Sequence, residues 1–117
     1  MSRTVPYLLY DVFTDVPFTG NQLAVSVDPP ELTTAECQAI ARELNLSETV
    51  FVAPGPGGAR TRIFTPAAEL PFAGHPSLGA ALALRDLGLV TDAVTLLEPA
   101  GPVPVTILDG LATWPAR

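Results

Sequence analysis

The sequence predicts an α+β domain: a curved, mostly antiparallel sheet rolled around a central apolar helix, with a second helix packed outside. Three observations carry this expectation. The run Leu78-Gly79-Ala80-Ala81-Leu82-Ala83-Leu84 is apolar on every side of a helix, and a helix without a polar face has to be buried all round. The stretch from Thr33 to Leu44 carries a single apolar stripe, which suits a helix lying on a surface. Seven short runs rich in branched and aromatic residues are separated by proline and glycine, the pattern of a sheet built from short strands.

In chain order, Tyr7 to Phe13 reads as the first strand. Pro17 to Asn21 reads as a turn, because Gly20-Asn21 tolerates positive φ. Leu23 to Val27 is the second strand, and Asp28-Pro29-Pro30 breaks it. Thr33 followed by Glu36 is a capping box at the start of the first helix. Cys37, Ile40, Ala41 and Leu44 recur at helical spacing, and Asn45 is a left-handed stop. Thr49 to Val52 and Arg60 to Phe64 are strands flanking a hairpin-like loop at Pro54-Gly55-Pro56-Gly57-Gly58. The second helix is expected from about Pro76 to Leu87, closed by Gly88; Pro76 suits its first position because proline lacks the N–H that would be unpaired there. Val94 to Leu97, Val103 to Leu108 and Leu111 to Trp114 complete the strands.

The 117 residues suit one domain spanning 1–117, long enough to bury roughly two-thirds of its unfolded surface. With 48% hydrophobic residues the chain is not disordered in composition. All six cationic residues are arginine and the net charge is −6, so nucleic acid and acidic membrane surfaces are poor partners. No apolar run is long enough for a membrane helix, and the amino-terminal residues do not read as a signal segment. A cytoplasmic location is expected. One cysteine, Cys37, allows no internal disulfide and no cysteine-based metal cluster; on its apolar stripe it reads as core.

The chemistry concentrates in Glu69-Leu70-Pro71-Phe72-Ala73-Gly74-His75-Pro76-Ser77-Leu78-Gly79. The first turn of a helix presents N–H groups without an intrahelical acceptor and the positive end of the helix dipole, so a small anion is held there. Gly74 lets a ligand approach the backbone, His75 can orient a carboxylate or give a proton, and Ser77 can add a hydroxyl donor. Glu48 is the acid–base candidate, with Ser47 beside it. It lies between a helix end and an apolar strand, where partial desolvation would raise its pKa toward a useful range. The competing readings are a solvated loop glutamate at 48, and a histidine that only bonds backbone at 75. Asn21 binds a ligand or serves its turn. Glu69 reads as a turn residue or a second acid, and Arg60 and Arg62 share one solvated strand face. The glycines at 55–58 lack a Walker lysine and read as a turn.

Three segments resemble the phenazine-biosynthesis PhzF-like family. They are Asp11-Val12-Phe13-Thr14-Asp15 through Pro17-Phe18, Gly20-Asn21 and Leu23-Ala24-Val25; Ala41-Arg42-Glu43-Leu44-Asn45-Leu46-Ser47-Glu48-Thr49-Val50-Phe51; and Arg62-Ile63-Phe64-Thr65-Pro66 followed by Glu69 to Pro76. The resemblance implies a diaminopimelate-epimerase-like fold of two similar domains with the site in the cleft between them. It further implies that Glu48 shuttles a proton in an isomerisation, that Gly74-His75 binds a substrate carboxylate, and that no metal or organic cofactor is needed. The related epimerases use two opposed cysteines; the resemblance places one near Phe72-Ala73-Gly74, where this chain has none. Only the first of the two domains is expected here. Two copies pairing as a homodimer, or a separate chain carrying the second half, would complete the cleft around a small anionic metabolite. A non-catalytic binding module or degenerate half-domain is the alternative.

Overall fold

The computed structural model describes residues 5–12, 21–108 and 111–113. At 11, 12, 21, 108 and 111–113 only the backbone is described. The Pro17–Gly20 part of the expected turn, Phe13 and Trp114 lie outside these residues. The described elements are β1 (Leu8–Val12), β2 (Asn21–Val27), α1 (Thr34–Leu44), β3 (Glu48–Gly55), β4 (Gly58–Phe64), β5 (Glu69–Leu70), α2 (Gly74–Asp86), β6 (Ala93–Glu98), β7 (Gly101–Leu108) and β8 (Leu111–Thr113).

The strands form one sheet in the order β1-β2-β3-β4-β6-β7-β8, with β5 paired to β4. The pairs β2–β3 and β4–β6 are parallel and the others antiparallel. Each parallel pair brackets a helix, because parallel neighbours need a long crossover: α1 connects β2 to β3, and α2 lies between β4 and β6. The sheet curls around α2, which approaches every strand in that order from β1 to β8. Leu78, Ala80, Ala81, Ala83 and Leu84 of α2 meet Leu23, Val25, Val50, Val52, Ile63, Leu96 and Val105 in the main core. At Gly79 an added Cβ would stand 2.9 Å from Leu23 Cδ1, so the helix approaches β2 at its narrowest residue.

On the other face α1 lies against β3 and β4. Cys37 and Ala41 pack there with Phe51 and Phe64, whose rings meet edge to face at 5.7 Å. Covered on both faces, β3 is continuously buried from Thr49 to Val52. The capping box forms as expected: Glu36 N–H donates to Thr33 Oγ1 and Thr33 N–H to Glu36 Oε1. Asn45 ends α1 in the left-handed region at φ 53°.

Several boundaries move. Asn21 is the first residue of β2, paired with Val12, rather than part of a turn. The 55–58 loop is tighter than expected: Gly55 and Gly58 are still paired across a two-residue turn. α2 begins at Gly74, so Pro76 is its third residue; the third N–H of a helix also lacks an intrahelical acceptor, and proline is tolerated there for the same reason. Its other end closes at Gly88 as expected, with φ 76° and Leu89 N–H donating to Leu84 O. The two-residue strand β5, which the pattern of residues did not suggest, pairs with Ile63 and Phe64. No helix among the described residues is long and apolar enough to cross a membrane.

Candidate active site at the mouth of α2

Three chain segments reach the same end of the sheet. Strand β3 starts at Glu48, beside Leu23 of the parallel strand β2, so Asn21 and Ser47 fall at that end too. Antiparallel pairing of Thr49 with Phe64 brings the end of β4 there. Strand β5 then pairs with Phe64 and leads through residues 71–73 into α2. The lead-in is pinned by Ala100 N–H, which donates to Pro71 O at 3.1 Å.

At this end Glu48 and His75 come together. Glu48 is half-buried, and its Oε1 is buried without a hydrogen-bond partner. Burial pushes its carboxyl above the ordinary value, while the nearby His75 imidazole pulls it partly back. The reading of Glu48 as a simply solvated loop residue does not fit this placement. His75, the second residue of α2, is exposed at the mouth, with Gly74 half-buried before it. Ala73 caps α2 without a side-chain bond, and the first turn holds no acidic residue. Helix α1, by contrast, has both a side-chain cap and Glu36. The positive end of the α2 dipole is therefore not offset by its own first turn. A carboxyl with a raised pKa, an imidazole and a helix N-terminus in one place suit proton transfer on a ligand held by its own negative charge.

The remaining candidates are placed as follows. Ser47 is exposed at the turn before Glu48. Asn21 is fixed in β2 by its backbone, and its side chain lies outside the described residues. Ser77 faces inward: it is fully buried, and its hydroxyl lies 2.7 Å from Ala73 O and 2.5 Å from Glu98 Oε2. The hydroxyl is engaged inside the fold and does not line the mouth. Glu69 is no second acid here, because it is held by Arg62: Nε reaches Oε2 at 2.8 Å and Nη2 reaches Oε1 at 2.7 Å. Arg62 also bonds Thr34 Oγ1 and lies over the Phe64 ring. It is thus not on a solvated face as expected, but locks β4, β5 and α1 together; Arg60 is exposed. Cys37 is a buried core residue, its thiol pushed up chiefly by burial.

Sequence reasoning did not single out Glu98. It ends β6, is 6% exposed, and its carboxyl is pushed up to about 7 by burial, the Ser77 hydroxyl acting in the opposite direction. The signal was present: Val94, Leu96 and Glu98 alternate, so the glutamate shares the face of a fully buried leucine. Among the described residues, no group of three or more metal-ligating side chains is assembled.

Comparison with known proteins agrees with this architecture. Residues 10–113 match the family model PhzC-PhzF, described as phenazine biosynthesis-like protein. An uncharacterized isomerase of Mesorhizobium japonicum is 53% identical over 117 residues, a match covering 94% of this chain and 39% of that protein. The trans-2,3-dihydro-3-hydroxyanthranilate isomerase of Pseudomonas fluorescens is 56% identical over 80 residues, covering 67% of this chain and 29% of the enzyme. The crystal structure of a PhzF-family phenazine biosynthesis protein from Enterococcus faecalis superposes with a TM-score of 0.82 at 35% identity, covering 90% of this chain and 41% of that one. The chain thus spans about two-fifths or less of the length of these relatives. With its mixed sheet rolled around α2, the chain belongs to the PhzC-PhzF phenazine biosynthesis-like family.

Proposed function

We propose that this domain supplies the proton-transferring wall of a cofactor-independent isomerase acting on a small carboxylated metabolite in the cytoplasm. The observation that carries the reading is Glu48, with a buried, unpartnered oxygen and a raised carboxyl pKa, beside His75 at the uncapped mouth of α2. In its acid form Glu48 gives a proton to one substrate carbon, and in its carboxylate form it removes one from another. The raised pKa narrows the free-energy gap between those two forms near neutrality. His75, the amides around Gly74 and the α2 dipole hold the substrate carboxylate, with Ser47 and Asn21 flanking. Ser77 serves this site from beneath the first turn.

The names of the relatives support isomerase chemistry. Because the chain spans 29% to 41% of the relatives compared, the opposite wall of the cleft comes from outside these residues. A second copy is one source, since two-fold pairing is the commonest homo-oligomer; residues beyond these 117, on this chain or a separate one, are the other.

The test uses the relative's substrate, trans-2,3-dihydro-3-hydroxyanthranilate, as a probe in deuterated water followed by NMR. Isomerised product with deuterium at carbon is expected. Glu48→Gln should slow it by ~10²–10⁴-fold. An unchanged rate in Glu48→Gln refutes the catalytic reading and favours a ligand-holding or degenerate half-domain. Sedimentation showing a monomer at micromolar concentration refutes self-pairing, and co-purification of a second-half chain would identify the alternative.

A further inference from the structure

Glu98 and Ser77 form a buried polar pair directly beneath the first turn of α2. Ser77 Oγ is 2.7 Å from Ala73 O and 2.5 Å from Glu98 Oε2. A serine hydroxyl has one proton, and a backbone carbonyl only accepts. Both contacts are full two-centre hydrogen bonds at once only if Glu98 carries a proton: Glu98 O–H then donates to Ser77 Oγ, and Ser77 O–H donates to Ala73 O. If Glu98 is ionised, the single serine proton turns to the carboxylate, and Ala73 O loses that donor. The other carboxyl oxygen, Oε1, is buried with no hydrogen-bond partner. That costs far less for the carbonyl oxygen of a neutral acid than for a share of a full negative charge.

Ala73 is the N-cap of α2, immediately before Gly74 and His75. The same lead-in is held at Pro71 by Ala100, two residues past Glu98, so the end of β6 and the turn after it grip the start of α2 at two points. We propose that Glu98, as the neutral acid, is a positioning residue that fixes the Gly74-His75 mouth through Ser77 and Ala73. Its ionisation would loosen that mouth. The functional meaning rests on the reading of Glu48 and His75 as a proton-transfer site; the positioning itself does not.

The surroundings of Glu98 keep this simple. Burial and the Ser77 hydroxyl are the influences acting on its carboxyl. Among the described residues, no charged group of α2, β4, β7 or the 71–73 lead-in acts on it. At the mouth, the His75 imidazole acts on the Glu48 carboxyl.

The experiment labels the full chain at glutamate Cδ with carbon-13 and follows carboxyl titration by NMR, together with hydrogen exchange of the Ser77 amide, whose acceptor is Ala73 O at 3.2 Å. The Glu98 signal is identified by its loss in Glu98→Gln. Its midpoint is expected near 7. The protection factor of the Ser77 amide should fall by about tenfold or more as the wild type passes from about pH 6 to about pH 8.5. Glu98→Gln, whose amide can still donate to Ser77, and Glu98→Leu, which draws no proton away from the Ser77–Ala73 bond, should both hold their protection across that range. The pattern should persist with Glu48→Gln and His75→Gln in the background, which removes the other titrations at the mouth. A Glu98 midpoint near the ordinary carboxyl value, pH-independent protection in the wild type, or a fall in protection over the same pH range in Glu98→Gln or Glu98→Leu would each overturn the proposal. None of these readouts uses a substrate, so they stand or fall separately from the isomerase reading.

Discussion

Replacing Glu98 by glutamine should change how stability depends on pH, and the size follows from the site. In the folded protein the Glu98 carboxyl titrates at about 7 instead of 4.5. The folded state therefore binds more protons than the unfolded chain between those values. The contribution of Glu98 to stability is fully present below the unfolded value and is lost as pH rises through about 7. At ~1.4 kcal/mol per tenfold change in proton affinity, the loss amounts to about 3 kcal/mol, a large share of a small domain's stability of ~5–15 kcal/mol. Glutamine does not titrate. Urea unfolding at fixed protomer concentration, from about pH 5 to about pH 8, should show the wild type losing stability relative to Glu98→Gln by up to that amount. The two curves converge or cross as pH falls, because the neutral acid then makes its own bond to Ser77. Glu48 titrates with the same sign in both proteins, so the difference between them isolates Glu98. A stability difference that does not vary with pH would refute the reasoning.

Gly58→Ala should destabilise by more than ~1 kcal/mol: its φ is 134°, and a Cβ would stand 2.6 Å from Thr95 O, where β4 and β6 run parallel. Thermal unfolding checks this, and an unchanged midpoint would contradict the backbone account. Leu84→Ala, fully buried on α2, should cost ~2–5 kcal/mol by denaturant unfolding. Thr33→Ala removes the bond to the Glu36 N–H and its reciprocal geometry; a loss of ~0.5–2 kcal/mol is expected, with exchange of the Glu36 amide accelerated.

Much of the fold was readable because it rests on local patterns. The capping box at Thr33 and Glu36, the left-handed stop at Asn45 and the closing glycine at 88 are short-range signals, and each stands where the residues place it. The all-round apolar run from Leu78 to Leu84 implied a helix wrapped by strands, and α2 is that helix. The errors sit where pairing, rather than propensity, sets the boundary. Asn21 is drawn into a strand by Val12, and Glu69-Leu70 becomes a strand only because the end of β4 is available. Arg62 alternates like a solvated residue, yet its partners Glu69 and Thr34 come from two other elements.

The site divides in the same way. Residue types and their spacing marked Glu48, Gly74 and His75, because a carboxyl at a strand start and a glycine–histidine pair at a helix mouth are local features. They could not show whether the two lie together. That follows from the pairing of β2, β3, β4 and β5, which returns chain segments far apart in sequence to one end of the sheet. Nor could they tell a hydroxyl facing a ligand from one facing the core: Ser77 turns inward because Glu98, 21 residues away, meets it there. The sequence by itself determined the two helices, both ends of α1 and the close of α2, most of the strand pattern and the chemical types gathered at the mouth, since these depend on neighbours within a turn or two. Only the tertiary structure decided which carboxyls are buried and what they meet, because desolvation and proton sharing depend on segments that the chain brings together only when it folds.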